Sequence, residues 1–428
     1  MPAADDPPAP GRRPLARLRG LARRWFLAYA LLTMLPFPLD ALPGLEGLVR
    51  ALSAPWDAIV AWTGAHLLGV EAVPRWNGSG DTLYHHVSHL CVVALSLAAA
   101  IVWTWRAGPT APSGRVVDRT RAYARLYVGG RLLVYGWLKV FPSQFPEPGP
   151  DRLLVPFGDM SPMAVLWTFM GAGAGYQRLA GVAEVVGALL LFARRTTTLG
   201  ALLLTFVLAN VVALNLVYDV PVKLHALRLL GLTLFILAPD GRRLVDVLWY
   251  NRAAPPRPLD PYPIPGRWRR RLALLGKWGL LVALHLAPFR QIARRGEPTP
   301  LDPFHGVYDV ISFDAADPPA GPPVRRWLRV GINRSGRGAI QWTDGEGEHF
   351  RVRYDPTRRD FSWATMDERG EPDDLRLHLD RDDDGTLRLS GRLHGVSTAL
   401  VLRRRRDPPR PLALTRGLHW VQERPFNR

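Results

Sequence analysis

Apolar residues form long blocks over residues 22–290 and short alternating strings from Phe304 onward, so two structural grammars share one chain. A helix needs roughly 20 mainly apolar residues to cross a bilayer. Leu199–Tyr218 meets this with no charge, and Leu90–Trp105 is also uncharged. Leu179–Ala193, Leu224–Ala238 and Leu272–Phe289 follow with few polar interruptions. Two more polar stretches complete seven predicted spans. Trp25–Pro38 is short and closed by Pro36 and Pro38; Ala122–Phe141 carries Arg125, Arg131 and Lys139. A strict hydropathy cut drops Ala122–Phe141 and leaves six. Within Ala41–Val70, the residues Leu45, Leu48, Val49, Leu52, Trp56, Ile59 and Val60 recur at three- and four-residue spacing. That pattern predicts an amphipathic helix, lying on the outer membrane surface or packed on the bundle.

Beyond Phe304 the period falls to two. Gly306–Asp314, Arg326–Asn333, Gly338–Thr343, His349–Tyr354, Phe361–Met366, Leu375–Leu379, Thr386–Leu393 and Ser397–Arg403 are predicted strands, separated by Gly, Asp and Asn turns. This is the signature of an antiparallel sandwich or barrel. The predicted fold is therefore an α-helical polytopic membrane bundle of about seven spans, followed by a C-terminal antiparallel all-β, barrel-like domain. Its parts are a basic N-terminus (1–24), N-terminal spans with an outer insert (25–120), a membrane core (121–249), a cytoplasmic loop with the last span (250–299) and the β-domain (300–428).

Charge sets the orientation. Net charge is +18, but only three of the 55 basic residues are lysines, a skew that points to base composition and away from a nucleic-acid partner. With the N-terminus inside, the inner segments through residue 271 hold twenty arginines, against five basic residues on the outer segments up to the sixth span. This is the positive-inside asymmetry of a multi-pass protein of a bacterial cytoplasmic (inner) membrane, with its β-domain outside. Arg290, Arg294 and Arg295 fall on the minority side. No convincing cleavage site follows Phe37, so the first span is expected to stay uncleaved. A single Cys excludes an internal disulfide, a CxxC relay and Cys-rich metal sites.

Ionisable residues inside a bilayer mark cavities or partners. Arg131, Tyr135 and Lys139 share one helical face; Gln177, Gly181 and Glu184 share another, and small residues there allow Glu184 to meet Arg131 or Lys139. Asn210, Asn215, Asp219, Lys223, His225 and Arg228 continue the polar set on neighbouring segments. These residues form a candidate bundle pocket with Glu184 as its proton-handling group; a purely structural ion pair that fixes helix register is equally open. His85 and His89 stand at i and i+4, but no Cys or further carboxylate completes a ligand set, so no metal is expected. Gly78-Ser79-Gly80-Asp81 reads as a turn, Asp382–Asp384 as a solvated hairpin tip, and Arg403–Arg406 as a charged strand end.

Residues 121–249 resemble the DoxX-like family of bacterial membrane proteins. Tyr135-Gly136-Trp137-Leu138-Lys139-Val140-Phe141 carries a G-x-x-K-x-F stretch. Gly181 through Leu191 carries G-x-x-E-x-x-G-x-x-L-L, and Arg194-Arg195-Thr196 and Leu199-Gly200-Ala201-Leu202 follow. The whole chain looks like a longer subgroup, marked by Gly78–Thr82, Gln144-Phe145-Pro146, Ser161-Pro162-Met163, Trp167–Gly171, Tyr218–Lys223 and the tail His419–Arg428. The resemblance implies a DoxX-like four-helix core, to which this chain adds N-terminal spans, an outer insert and the β-domain. It also implies a quinone- or lipid-linked redox accessory role, with a quinone as cofactor and a redox partner protein, because the family takes its name from a membrane subunit of a thiosulfate:quinone oxidoreductase. The residues leave a second reading open: a non-enzymatic membrane-anchored binding or assembly module whose outer β-domain binds a lipid, glycan or protein. Whether the chain is an enzyme is undecided at this level. A small-solute transporter would suit the polar residues, but no broken-helix repeat or duplication is visible.

Overall fold

The computed structural model describes residues 12–75, 78–108, 111–256, 264–295, 299–315, 325–365, 375–383, 385–393 and 396–406. The tail His419–Arg428, Met366 and Asp384 lie outside the described residues. The chain forms two units: Met1–Phe141 with Leu179–Ile292, and Pro142–Arg178 with Ala293–Arg428.

The first unit is helical. Its elements are α1 (Arg12–Met34), α2 (Glu46–Thr63), α3 (Leu83–Ala107) and α4 (Gly114–Val140). After α5 (Pro150–Leu153) and α6 (Pro162–Ala172) of the other unit come α7 (Ala174–Phe192), α8 (Thr197–Val217), α9 (Lys223–Leu237), α10 (Gly241–Leu248) and α11 (Arg267–Arg295). Among the described residues, five stretches are long and apolar enough to cross a membrane: Leu83–Ala107, Ala174–Phe192, Thr197–Val217, Lys223–Leu248 and Arg267–Arg290. They match the five strongest spans expected from hydropathy, with Tyr218 and Ala193 falling one residue past the ends of theirs. The two polar candidates fall on α1 and α4, which are helices but too polar to qualify on composition.

Packing explains why α4 carries so many polar residues. Val128, Leu132 and Leu133 of α4 share one core with Ala30 and Met34 of α1, Ala188 and Leu191 of α7, Leu204 and Leu208 of α8, Leu229 and Ile236 of α9, and Leu284 of α11. A helix surrounded by other helices need not match the apolarity of lipid on its outer side. Other helices of the unit turn large apolar side chains outward instead: Ile101 on α3, Phe206 and Leu216 on α8, Leu275 and Val282 on α11. So many exposed large apolar side chains suit a lipid solvent and are unfavourable in water. The expected amphipathic helix is α2. Trp56 donates from Nε1 to Ser88 Oγ (3.0 Å) and Tyr84 donates to Asp57 Oδ1 (2.5 Å), holding one face of α2 on α3, while Leu48, Leu52, Ile59 and Trp62 stay exposed.

The second unit contains the closed antiparallel barrel that the alternation predicted. Its strands are β1 (Gly306–Ala315), β2 (Trp327–Ile332), β3 (Arg337–Trp342), β4 (Gly347–Asp355), β5 (Asp360–Thr365), β6 (Leu375–Asp383), β7 (Thr386–Leu393) and β8 (Val396–Arg404). Each pairs with its neighbour in sequence and β8 closes on β1. Tyr308, Trp327, Val330, Ile340, Phe361, Trp363, Leu377, Leu389 and Leu402 fill the interior, as side chains do in a barrel of this strand number. Leu377 and Leu379 point in while Arg376 and His378 pair across the outer face with neighbouring strands, matching the in/out alternation.

The insert between α4 and α7 belongs to this unit. Leu154 and Val155 pack with Val307 and Ala339, and Asp151 Oδ1 accepts from Asn333 Nδ2 at 2.7 Å. β1 to β3 are therefore covered on their outer face as well, which accounts for the run of buried residues in Val330–Ile332 and Gly338–Ile340. Of the basic run at the strand end, Arg404 donates to the His305 carbonyl and Arg405 pairs with Asp309 at 3.1 Å.

Candidate functional site

The two glycine-spaced motifs meet, and glycine is what lets them meet. A Cβ on Gly181 would lie 2.6 Å from the Gly136 carbonyl oxygen and 2.8 Å from Lys139 Cβ; one on Gly136 would lie 2.9 Å from the Gly181 carbonyl oxygen. α4 and α7 thus touch backbone to backbone, the small-residue contact familiar between membrane helices. The stem of Lys139 passes over Gly181 and its ammonium donates to Glu184 Oε1, one turn further along α7. Further along α7, Gly187 repeats the device toward α8: a Cβ there would meet Leu204 at 2.5 Å, and a Cβ on Gly200 would meet the Gly187 carbonyl oxygen at 2.8 Å. The G-x-x-E-x-x-G spacing thereby clamps α7 between α4 and α8 with the carboxylate midway.

Lys139 and Glu184 are both buried, at 7% and 2% exposure. Glu184 Oε2 has no hydrogen-bond partner. A buried carboxylate oxygen without a donor is costly and is the group in the bundle best placed to take a proton or accept a hydroxyl.

Arg131 turns away from Glu184 and pairs with Asp40, its guanidinium 5.2 Å from the Tyr127 ring. Tyr135 lies 6.0 Å from the His225 ring. Arg228, one turn beyond His225, reaches His89 Nδ1 at 3.0 Å, and Tyr29 meets the same imidazole edge to face. His85 shares a hydrogen bond with Thr82 at 2.8 Å. Both histidines at metal-ligand spacing thus face protein partners, and no group of three or more His, Cys, Asp or Glu suited to a metal occurs among the described residues. Asn215 is buried with Nδ2 unpaired. Asn210 is exposed, and Asp219 and Lys223 form an i, i+4 pair at 2.6 Å with Asp219 turned outward. Gln177 falls in the other unit, completely buried with neither amide atom partnered.

One contact was invisible to spacing. Asp81, in the glycine turn before α3, accepts the backbone N–H groups of Lys223 (2.6 Å) and Leu224 (3.1 Å), and Gly80 N donates to the Pro221 carbonyl at 2.7 Å. Asp81 therefore caps the N-terminus of α9 from a distant part of the chain, supplying the acceptor that Val222 lacks. This joins two of the stretches singled out in the sequence, Gly78–Thr82 and Tyr218–Lys223. Asp81→Ala is expected to cost about 1–2 kcal/mol, read as faster amide exchange at Lys223 and Leu224; exchange rates equal to wild type would contradict the cap.

A second polar cluster lies in the barrel unit. Asp151 is buried and bonded to Asn333, and its charge acts on His305 and His349. Burial, then the Arg152 guanidinium, holds His349 below the usual imidazole range against the pull of Asp151. His305 is lowered by burial and by Arg334 and Arg404. Asp151 stands far from both histidines in sequence, so spacing gave no signal of this grouping.

Among known proteins, a 123-residue stretch of this chain is 29% identical to the uncharacterized protein YwoB of Bacillus subtilis (strain 168). The match covers 29% of this chain and 78% of that protein, which is accordingly far shorter. No family model matches the chain. No solved structure matches it either.

Proposed function

We propose that the chain is a multi-pass protein of the bacterial inner membrane that serves as a quinone-linked redox accessory subunit, with Glu184 as its proton-handling group. The observation that carries this reading is the Lys139–Glu184 pair, buried with Glu184 Oε2 left open. The first unit also leaves Asn215 Nδ2 and His225 Nε2 buried without partners, and His225 lies beside Tyr135 on the α4 face that carries Lys139, so it offers donors as well as an acceptor. That mixture fits a quinone headgroup, whose oxygens accept or donate according to redox state. A bound quinone supplies a two-electron, two-proton couple. In this role Glu184 Oε2 holds a proton while Lys139 keeps the carboxyl group oriented, and the apolar core around them excludes water. A partner protein supplies or takes the electrons, since the single Cys91 makes no thiol couple by itself.

Topology supports the membrane arrangement, with the N-terminus inside and the barrel outside. The insert 142–178 and the barrel share one unit, so they share one side of the membrane. The chain between them has α7, α8, α9 and α11, an even number of passes, and the basic segments Arg194-Arg195 and 240–271 fall at the opposite ends.

Solvent extracts of gently purified protein are expected to contain near-stoichiometric quinone by mass spectrometry, falling at least fivefold in Glu184→Gln of unchanged oligomeric profile. Quinone-free wild-type protein would sink the redox reading. A second reading, the anchored binding module, is favoured by the composite build of the barrel unit, whose outer face is tied to the insert through Asp151–Asn333. Its interior is filled, so a lipid, glycan or protein would be held on the surface of that unit.

A further inference from the structure

At the end of the bundle where α7 hands over to α8, a cavity of about 490 Å³ opens among α4, α8, α9 and α10. Its lining includes Arg121, Arg125, Arg194, Arg195 and Arg243, against only Asp118 and Asp240. Both aspartates are committed. Asp118 pairs with Arg194 at 3.3 Å, and Asp240 accepts from Arg243 (2.8 Å) and Thr198 Oγ1 (2.8 Å). The remaining excess of positive charge is held in place by helix ends. Arg125 Nε donates to the Leu191 carbonyl at 2.9 Å and Arg121 Nε to the Phe235 carbonyl at 3.2 Å. These are the last turns of α7 and α9, whose carbonyls favour cations. Thr197 and Thr198, in the first turn of α8, face the same space, so a helix N-terminus adds its own positive end. Like charges gathered around a partly enclosed cavity repel one another unless an anion joins them.

The other wall is apolar and interfacial. Ile236, Leu244, Val247 and Leu248 line it, and α10 runs into Trp249 and Tyr250, which are 80% and 54% exposed. Trp and Tyr at the end of a span mark the headgroup level of a bilayer. We infer that this cavity binds the phosphate of an anionic phospholipid, with the arginines on the phosphate and the α10 wall along the glycerol and upper acyl chain. The volume is within the range of ligand pockets, and the arginine side of the bundle is the one that the charge asymmetry places in the cytoplasm. The inference stands apart from the Glu184 reading, since the two share no residue.

The test uses the full chain in mild detergent, titrated with phosphatidylglycerol, with phosphatidylcholine of the same acyl chains, and with inorganic phosphate, followed by native mass spectrometry. One phosphatidylglycerol is expected to remain bound, with half-saturation raised tenfold or more in Arg125→Gln and in Arg195→Gln. Arg195 is exposed and stands outside the Asp118–Arg194 and Asp240–Arg243 pairs, so its variant decides the matter if Arg125→Gln fails to fold. Equal retention of the two lipids, or unchanged phosphatidylglycerol binding in Arg195→Gln, overturns the site. Inorganic phosphate binding with the same variant sensitivity, in the absence of phosphatidylglycerol binding, overturns the lipid assignment.

Discussion

Lys139→Met is expected to destabilise the helical unit by about 3–5 kcal/mol, whereas the double variant Lys139→Met/Glu184→Leu returns to near wild-type stability. The pair is buried between helices that touch at Gly136 and Gly181, so removing the ammonium leaves a carboxylate with no partner on either oxygen. Isolated buried charge is far more costly than the pair is beneficial. Replacing both groups with apolar side chains of similar length removes the penalty. Thermal unfolding followed by helical circular dichroism separates the cases. If the single variant melts with wild type, the pair is not the electrostatic lock the geometry describes. The double variant also tests function: it should keep the fold and lose bound quinone, because leucine at 184 offers the headgroup no hydrogen-bonding group. A double variant as unstable as the single one would mean that the two apolar replacements cannot fill the space at the glycine crossing.

Much of this architecture was legible because each unit repeats a simple period. Eight alternating strings with Gly and Asp turns yield eight strands joined in order, since a period of two admits one register once a face is buried. The five apolar spans followed from run length alone. α4 was harder: its charges are satisfied by Asp40, by Arg194 and Glu184, and by the Leu191 and Phe235 carbonyls, partners that lie elsewhere in the chain. Spacing offered Glu184 two partners, and the backbone contact at Gly181 selects Lys139 by laying its stem across α7. Arg131 goes to Asp40, in a short turn after α1 that has no periodicity to draw attention. The arginine cavity shows the same limit. Four of its arginines count in the sequence as inside charges that set orientation and Arg125 as a charge within a span, but their convergence depends on the ends of several separate helices.

Trp363→Ala is expected to cost the barrel about 3–5 kcal/mol and to leave the helical unit unchanged. Trp363 is 1% exposed, with Trp327 5.7 Å away by ring centroids and Phe361 6.4 Å away. Phe304 and Tyr354 extend the same aromatic cluster. Removing the indole leaves a void lined by rigid rings on paired strands, which cannot collapse to fill it. The measurement is denaturant-dependent hydrogen–deuterium exchange, read separately on peptides from the strands and from the helices. The outcome bears on what the barrel is for. In a ligand lumen, trimming one wall residue widens the space at little cost and improves binding of a larger guest. In a filled core, the same change lowers stability and creates no useful pocket. A loss below about 1 kcal/mol, small for a large-to-small core change, would show room inside the barrel and restore the lumen as a binding site; a large loss confines any partner of this unit to its outer surface.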